Sequence, residues 1–183
     1  MKTSTGADAV RLGRAVPWAA SERPPEGPVQ SPPHWSMRPA EAADVEPIAE
    51  LRAVVMRPDL ERLGRFDEHR VRQRFRDAFS PPHTSVILAD GVLAGCVALR
   101  PAEEGQWLEH FYLAPAVQGH GLGSAVLRTV LGRTDADGET VRLNVLRGSA
   151  ARRLYERHGF TVEAQDPVDV FMVRRPPGTG LPG

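Results

Sequence analysis

A single cysteine, Cys96, is too few for an internal disulfide or a thiolate metal cluster, which excludes a disulfide-stapled scaffold. Lysine is almost absent too: the 23 basic residues are 22 arginines and Lys2. With abundant Ala, Pro and Gly, that skew reads as a coding bias and carries no functional signal. Net charge is missing as well, because 23 acidic residues balance the 23 basic ones. No global field therefore steers the chain to nucleic acid or to an anionic membrane, and neither is an expected partner. No stretch approaches the roughly 18 consecutive apolar residues of a membrane span, and the N-terminus lacks the apolar core of a signal peptide. A reducing cytoplasm is the expected location. The six histidines have no metal-ligand spacing, so no metal is expected.

What is present suits a soluble globular protein. Hydrophobic residues make up 41% and charged residues 25% of 183 positions, enough for one domain with a real core. The stretch "SERPPEGPVQSPPH" (21–34) is rich in Pro and Gly and lacks apolar periodicity, so residues 1–33 read as a disordered N-terminal extension. The end of the chain, "RRPPGTGLPG", has the same character, and 176–183 read as a flexible tail. The folded domain is expected over 34–175.

Within it, "HWSMRP" reads as a first strand and "AEAADVEPIAELRAVVM" as a helix, with apolar positions near helical spacing. Val71, Phe75, Ala78 and Phe79 stripe a second helix over about 67–79, where Arg70, Arg72, Arg74 and Arg76 form the remaining, solvated face. Strand periodicity then takes over. "TSVILAD-GVLAGCVALR" predicts a hairpin around Asp90-Gly91, and "WLEHFYLAP" another strand. A helix from Gly121, a strand "VRLNVL", a helix over 149–159 capped by Ser149 and stopped by Gly159, and strands "FTVEAQ" and "DVFMVRR" complete the order. The result, β-α-α-β-β-β-α-β-α-β-β, predicts an α/β (α+β) domain in which helices flank a largely antiparallel central sheet. Cys96, mid-strand, is assigned to the core.

Between a strand ending at Pro115 and an amphipathic helix lies "APAVQGHGLGSAVL" (114–127), with Gly119, Gly121 and Gly123 alternating. A helix start presents unpaired N–H groups and the positive end of the dipole, and glycines let an anion approach them. A tight turn needing positive φ is the competing reading. A triphosphate cradle is excluded, since Gly-Lys-Ser/Thr is missing and Gly123 precedes Ser124-Ala125. A dinucleotide fold fits poorly: the third glycine is replaced by Ser124, and Glu139 lies before the next strand instead of at its end.

The segment "FYLAPAVQGHGLGSAVL" resembles the acetyl-CoA motif of the GNAT acetyltransferase superfamily, Q/R-x-x-G-x-G/A, through Gln118, Gly121 and Gly123. Thirty residues on, "ARRLYERHGF" (151–160) resembles that family's second signature, A-x-x-L-Y-x-x-x-G-F. The resemblance covers about residues 35–175 and implies the same element order. It further implies acetyl-CoA as acyl donor, and acetyl transfer directly to a primary amine of a small molecule or protein. The alternative is a non-catalytic acyl-CoA-binding or sensor domain of the same fold. A basic-helix nucleic-acid module is a third possibility, against which the zero net charge counts. A monomer or a homodimer is expected.

The resemblance also assigns residues. The backbone of Phe111, Tyr112 and Leu113 would pair with the pantetheine arm, and the N–H groups of Gln118, Gly119, His120, Gly121, Leu122, Gly123 and Ser124 would hold the diphosphate. Glu109 is the leading general base, direct or through a water; alternatively it is an exposed strand carboxylate. By alternation Trp107, Glu109, Phe111 and Leu113 share one face, with His110 on the other. His110 and Asn144 are weaker candidates. Tyr155 matches the tyrosine that faces the coenzyme sulfur, with core packing as the alternative. Many members have Asn where this chain has Gly148, so a cofactor contact is either lost or supplied by Ser149.

Overall fold

The computed structural model describes residues 34–178. The expected extension over 1–33, and residues 179–183 of the expected tail, lie outside them.

The elements follow the expected order. They are β1 (Trp35–Pro39), α1 (Val45–Arg62), α2 (Glu68–Ala78), β2 (Thr84–Ala89), β3 (Val92–Ala102), β4 (Gly105–Leu113), α3 (Leu122–Ala136), β5 (Val141–Leu146), α4 (Ala151–Arg157), β6 (Thr161–Gln165) and β7 (Asp169–Arg174). One seven-stranded sheet runs β1-β2-β3-β4-β5-β7-β6. Every pairing is antiparallel except β4 with β5, which run parallel. The β2–β3 hairpin turns at Asp90 and Gly91, both at positive φ (50° and 79°), as a two-residue turn matched to strand twist requires.

Two apolar clusters sandwich the sheet. On one face Ile48 and Ala49 of α1 and Phe75 of α2 pack on Val86, Cys96 and Tyr112. On the other, Leu122, Val126, Leu127, Val130 and Leu131 of α3 and Tyr155 of α4 pack on Leu108, Leu143, Val145 and Met172. Alternation along β5 makes the division legible: Val141, Leu143 and Val145 are buried, and Asn144 is exposed. Arg174 fastens this second face. Its guanidinium is bidentate to Asp135 of α3 (2.5 and 2.8 Å) and donates from Nε to the His158 carbonyl (2.9 Å).

Helix α1 is longer than the sequence suggests. Residues 57–62, expected in the segment joining the first two helices, continue the helix through Pro58. Proline there has no N–H to donate to the Val54 carbonyl, so the helix continues with one internal bond fewer. The connection shrinks to Leu63–Asp67, with Asp67 capping α2 by accepting from the Arg70 N–H at 2.7 Å.

The four arginines of α2 do not form one solvated face. Arg72 is bidentate to Glu50 (2.7 and 2.9 Å) and Arg76 to Glu46 (2.8 and 2.8 Å), which ties α2 to α1. Phe75 sits below them, fully buried. Phe75→Ala is expected to cost about 3–5 kcal/mol, read as a lower denaturant midpoint at unchanged slope; a loss below 1 kcal/mol would show that α2 is not anchored there.

Candidate active site

Strands β4 and β5 pair at only two positions, Gln106 with Val141 and Trp107 with Arg142. Beyond Trp107 they separate, and the edge of β4 that faced β5 is left without a strand partner. A cavity of about 1210 Å³ opens in this gap. Its walls come from β4, the loop before α3, β5, α4, the α1–α2 region and the β6–β7 turn.

The shape of β4 departs from simple alternation. Ala98 faces Glu109 and Cys96 faces Tyr112, so β4 carries one extra residue opposite Val97. His110 absorbs it at φ 50°, a region where histidine is enriched among non-glycine residues. The expected face of Trp107, Glu109, Phe111 and Leu113 is therefore broken. Phe111 and Leu113 pack with Leu108 on the α3 side, whereas the His110 ring meets Phe75 and Tyr112 on the α2 side. Glu109 precedes the bulge and keeps company with Trp107: Arg100 donates to Glu109 Oε1 at 2.9 Å and lies over the Trp107 ring at 5.9 Å. The Glu109 side chain is 23% exposed and lines the cavity. Its second oxygen, Oε2, takes no hydrogen bond from a described residue.

A buried polar chain holds the bulge. Arg52 Nε donates to Tyr112 Oη at 2.9 Å, and its Nη1 donates to the Val71 carbonyl. The Tyr112 hydroxyl is then free to donate to His110 Nδ1 at 3.1 Å, which puts the imidazole proton on Nε2. That Nε2 is buried with no partner among the described residues. The Cys96 thiol donates to the His110 carbonyl at 3.0 Å, consistent with its core assignment. Burial pushes both the Cys96 thiol and the Tyr112 phenol up to about 12. Arg52 carried no role in the sequence reading, although a signal was there: it falls on the buried stripe of α1 beside Ile48, Ala49 and Ala53. A charge on an apolar helix face must find partners.

The glycine loop meets α3 with Gly121 as N-cap at φ 84°, preceded by Gly119 at φ 79°. Both sit in the left-handed region, so the turn reading and the anion reading are compatible. No side chain caps the helix, and the first intrahelical bond runs from Ala125 N–H to the Gly121 carbonyl. The N–H groups of Leu122, Gly123 and Ser124 thus have no carbonyl inside the helix. Gly123 has a second reason: a Cβ there would lie 3.1 Å from Leu154 and 3.4 Å from Leu113. Gln118 does something else. Its side chain donates to the Leu113 carbonyl at 2.7 Å and its N–H reaches the Pro115 carbonyl at 3.3 Å, so it ties the loop to β4. Of the expected loop residues, His120 and Leu122 do not line the cavity, and the Leu122 side chain is fully in the core.

Tyr155 of α4 lines the cavity from the opposite wall and stacks edge-on to Phe160 at 5.8 Å. Burial, with Tyr112 adding, pushes its phenol well above the ordinary value of 10, and its hydroxyl bonds to no described residue. Ser149 lines the cavity without being the cap residue, which is Ala150; its Oγ accepts weakly from the Ala151 N–H at 3.4 Å. Gly148 holds φ 80°, a left-handed conformation that suits glycine or asparagine. The space a side chain would take is filled by the Arg62 guanidinium, 2.8 Å from a Cβ built at Gly148. Asn144, also in the wall, commits its amide to Asp169 at 2.9 Å. Among the described residues, no three His, Cys, Asp or Glu side chains are grouped to hold a metal ion.

Residues 81–162 match the family model described as the acetyltransferase (GNAT) domain. That segment carries the match to a GNAT domain, and the fold around it is the GNAT fold. No curated protein matches its sequence. Among solved structures, the GNAT fold is shared with the PaiA N-acetyltransferase of Thermoplasma acidophilum in complex with coenzyme A. That match is 21% identical with TM-score 0.65, over 78% of this chain and 99% of that one. The ribosomal-protein-S18-alanine N-acetyltransferase of Escherichia coli is 18% identical with TM-score 0.61, over 82% and 100%. N-acetylglutamate synthase of Neisseria gonorrhoeae, complexed with coenzyme A and N-acetyl-glutamate, is 20% identical with TM-score 0.54, over 78% and 35%. At these identities the likeness is one of fold.

The buried chain around His110 makes the domain sensitive to acid. Burial holds this imidazole below 6.5, with the Glu109 charge opposing and Arg52 and Arg100 adding. As pH falls, the unfolded chain binds the proton first, so His110's share of stability is intact above about 6.5 and is lost toward its folded pKa. His158, shifted the same way by burial, adds to the slope. The melting temperature of the wild type is expected to fall between about pH 7 and pH 5.5 more steeply than that of His110→Gln. Parallel declines would show that His110 is not the sensitive group.

Proposed function

We propose that this GNAT domain, residues 34–175, transfers the acetyl group of acetyl-CoA directly to a primary amine, in the cytoplasm. The observation that carries the reading is the single cavity in which the unpaired edge of β4, the uncapped start of α3, Glu109 and Tyr155 come together. Those features suit a ligand that is peptide-like at one end and anionic at the other. The β4 edge at Phe111, Tyr112 and Leu113 would bind the amide-containing arm as an added strand. Of the loop residues expected to hold the diphosphate, Gly119, Gly121, Gly123 and Ser124 line the cavity and would offer their N–H groups to it; Gln118, whose side-chain amide and backbone N–H already donate to Leu113 and Pro115, would brace the loop.

The acetyl thioester supplies an activated carbonyl carbon, to which the amine nitrogen bonds as the carbon–sulfur bond breaks. An amine of the lysine type, with pKa near 10.4, is mostly protonated at neutral pH and must first shed a proton. Glu109 Oε2 is the acceptor for it, directly or through a water, while Arg100 steers the other oxygen away. Tyr155 keeps its own proton. An ordinary phenol is already a weaker acid than a thiol by about 1.5 units, roughly 2 kcal/mol, and burial widens that difference. Its hydroxyl therefore stabilises the departing thiolate by a hydrogen bond without giving up the proton in that step; the proton that the nitrogen sheds on becoming an amide balances the one the thiolate takes up as coenzyme A leaves.

Acetyl-CoA at 100 times its Kd is expected to add about 2.7 kcal/mol of stability, a rise of several degrees in melting temperature; no rise would remove the coenzyme reading. Thiol release against an amine panel separates enzyme from sensor. Glu109→Gln is expected to lower kcat about 100-fold and Tyr155→Phe about tenfold, both with the coenzyme-induced rise retained. Undiminished turnover in both variants would overturn these assignments.

A further inference from the structure

The arginines around the cavity divide by what they bond. Five line it: Arg52, Arg65, Arg70, Arg74 and Arg157. Arg52 is spent on Tyr112 and Val71. The side chains of Arg65, Arg70 and Arg74 make no hydrogen bond or close ion pair with a described residue, in contrast to Arg72 and Arg76 of α2; Asp67 feels the charge of Arg70 and Asp166 that of Arg65 only at longer range, and Arg74 has no such neighbour among these acids. The acids of the wall are differently placed, because each already accepts a hydrogen bond. Asp59 takes Arg62 (2.9 Å), Asp67 the Arg70 N–H (2.7 Å), Glu109 takes Arg100 (2.9 Å) and Asp169 the Asn144 amide (2.9 Å). Asp166 accepts from the backbone of Val168 and Asp169, both at 2.7 Å. The α2 side of the wall therefore has cationic donors without a hydrogen-bond partner, whereas each acid of the wall already accepts at least one bond.

Those donors are arranged as well as available. Arg70 and Arg74 stand one turn apart on α2, with neighbouring Cβ atoms roughly 5–6 Å apart. Between them Val71 is buried against the fold, which fixes the helix face that carries both toward the cavity. Arg65, in the turn before α2, extends the row. Two guanidinium forks at this spacing match the oxygens of one carboxylate or phosphate, and a short solvated side chain does not replace them.

We infer that the amine acceptor also carries an oxyanion, bound by Arg70 and Arg74 at the α2 side of the cavity, so that the substrates are acidic amines such as amino acids or amino phosphates. This deepens the acetyl-transfer reading and rests on it for the identity of the amine end.

The test compares thiol release from acetyl-CoA with the common α-amino acids, their α-carboxamides, and O-phosphoethanolamine against ethanolamine. In the wild type, at least one anionic member is expected to exceed its neutral partner tenfold or more in kcat/KM. The Arg70→Gln/Arg74→Gln double variant is expected to shrink that ratio tenfold or more, mainly through KM. Arg72→Gln, which removes the α1–α2 ion pair to Glu50 and a bond to the Glu68 carbonyl but no cavity-lining group, should keep it. A preference for carboxylates or for the phosphate identifies which oxyanion is bound. Calorimetric binding of the same compounds, with and without coenzyme A, reads the same ratio in a protein that does not turn over. Failure of acetyl-CoA to shift the melting temperature would count against the acetyl-transfer reading alone. A coenzyme shift with equal use and equal binding of anionic and neutral partners, or a ratio untouched in the double variant, would overturn the oxyanion site.

Discussion

The structure depends on two parallel strands that part company. After Gln106 and Trp107, β4 and β5 stop pairing, yet both stay fixed by their other neighbours: β4 by antiparallel β3, and β5 by antiparallel β7 over six positions. Each strand is held along its opposite edge, and those ladders set the direction in which it diverges from the other. The hydrogen-bonding edge left on β4 inside the domain costs free energy unless something bonds to it. A domain built this way is preorganised for an extended, amide-bearing guest.

The bulge at His110 converts that gap into a site with two sides. An extra residue in β4 turns Phe111 and Leu113 toward α3 and the glycine loop. It leaves Glu109, His110 and Tyr112 toward α1 and α2. A conformation with φ at 50° needs support from its surroundings, and the Arg52–Tyr112–His110 chain with the Cys96 thiol supplies it. The same helices that hold the bulge carry the arginines along the wall. Positioning of Glu109 and the proposed recognition of the acceptor are thus parts of one packing arrangement.

Much of this was legible in the residues. Element order followed from periodicity and punctuation, since Asp90-Gly91, Pro115, the glycine loop and Gly159 all mark real boundaries. Two motifs, around Gly121 and Tyr155, pointed to the family because each sat on the expected element. The bulge left no such mark: one added residue shifts parity without changing composition, and only the pairing of Cys96 with Tyr112 exposes it. The arginine run was opaque for a related reason. Residues 70, 72, 74 and 76 look alike in sequence, and only the position of Glu46 and Glu50 on α1 separates the paired arginines from the cavity-facing ones. Continuation of α1 through Pro58 was equally hidden, because a proline in a sequence reads as a helix stop.

The central claim is that the β4 edge and the start of α3 bind one coenzyme together. Amide-resolved NMR during titration with coenzyme A tests it most directly. The account predicts concerted shifts at residues 109–113 and 119–124 with one common Kd, and little change at β1 and β2. Shifts confined elsewhere, or separate affinities for the two segments, would contradict it.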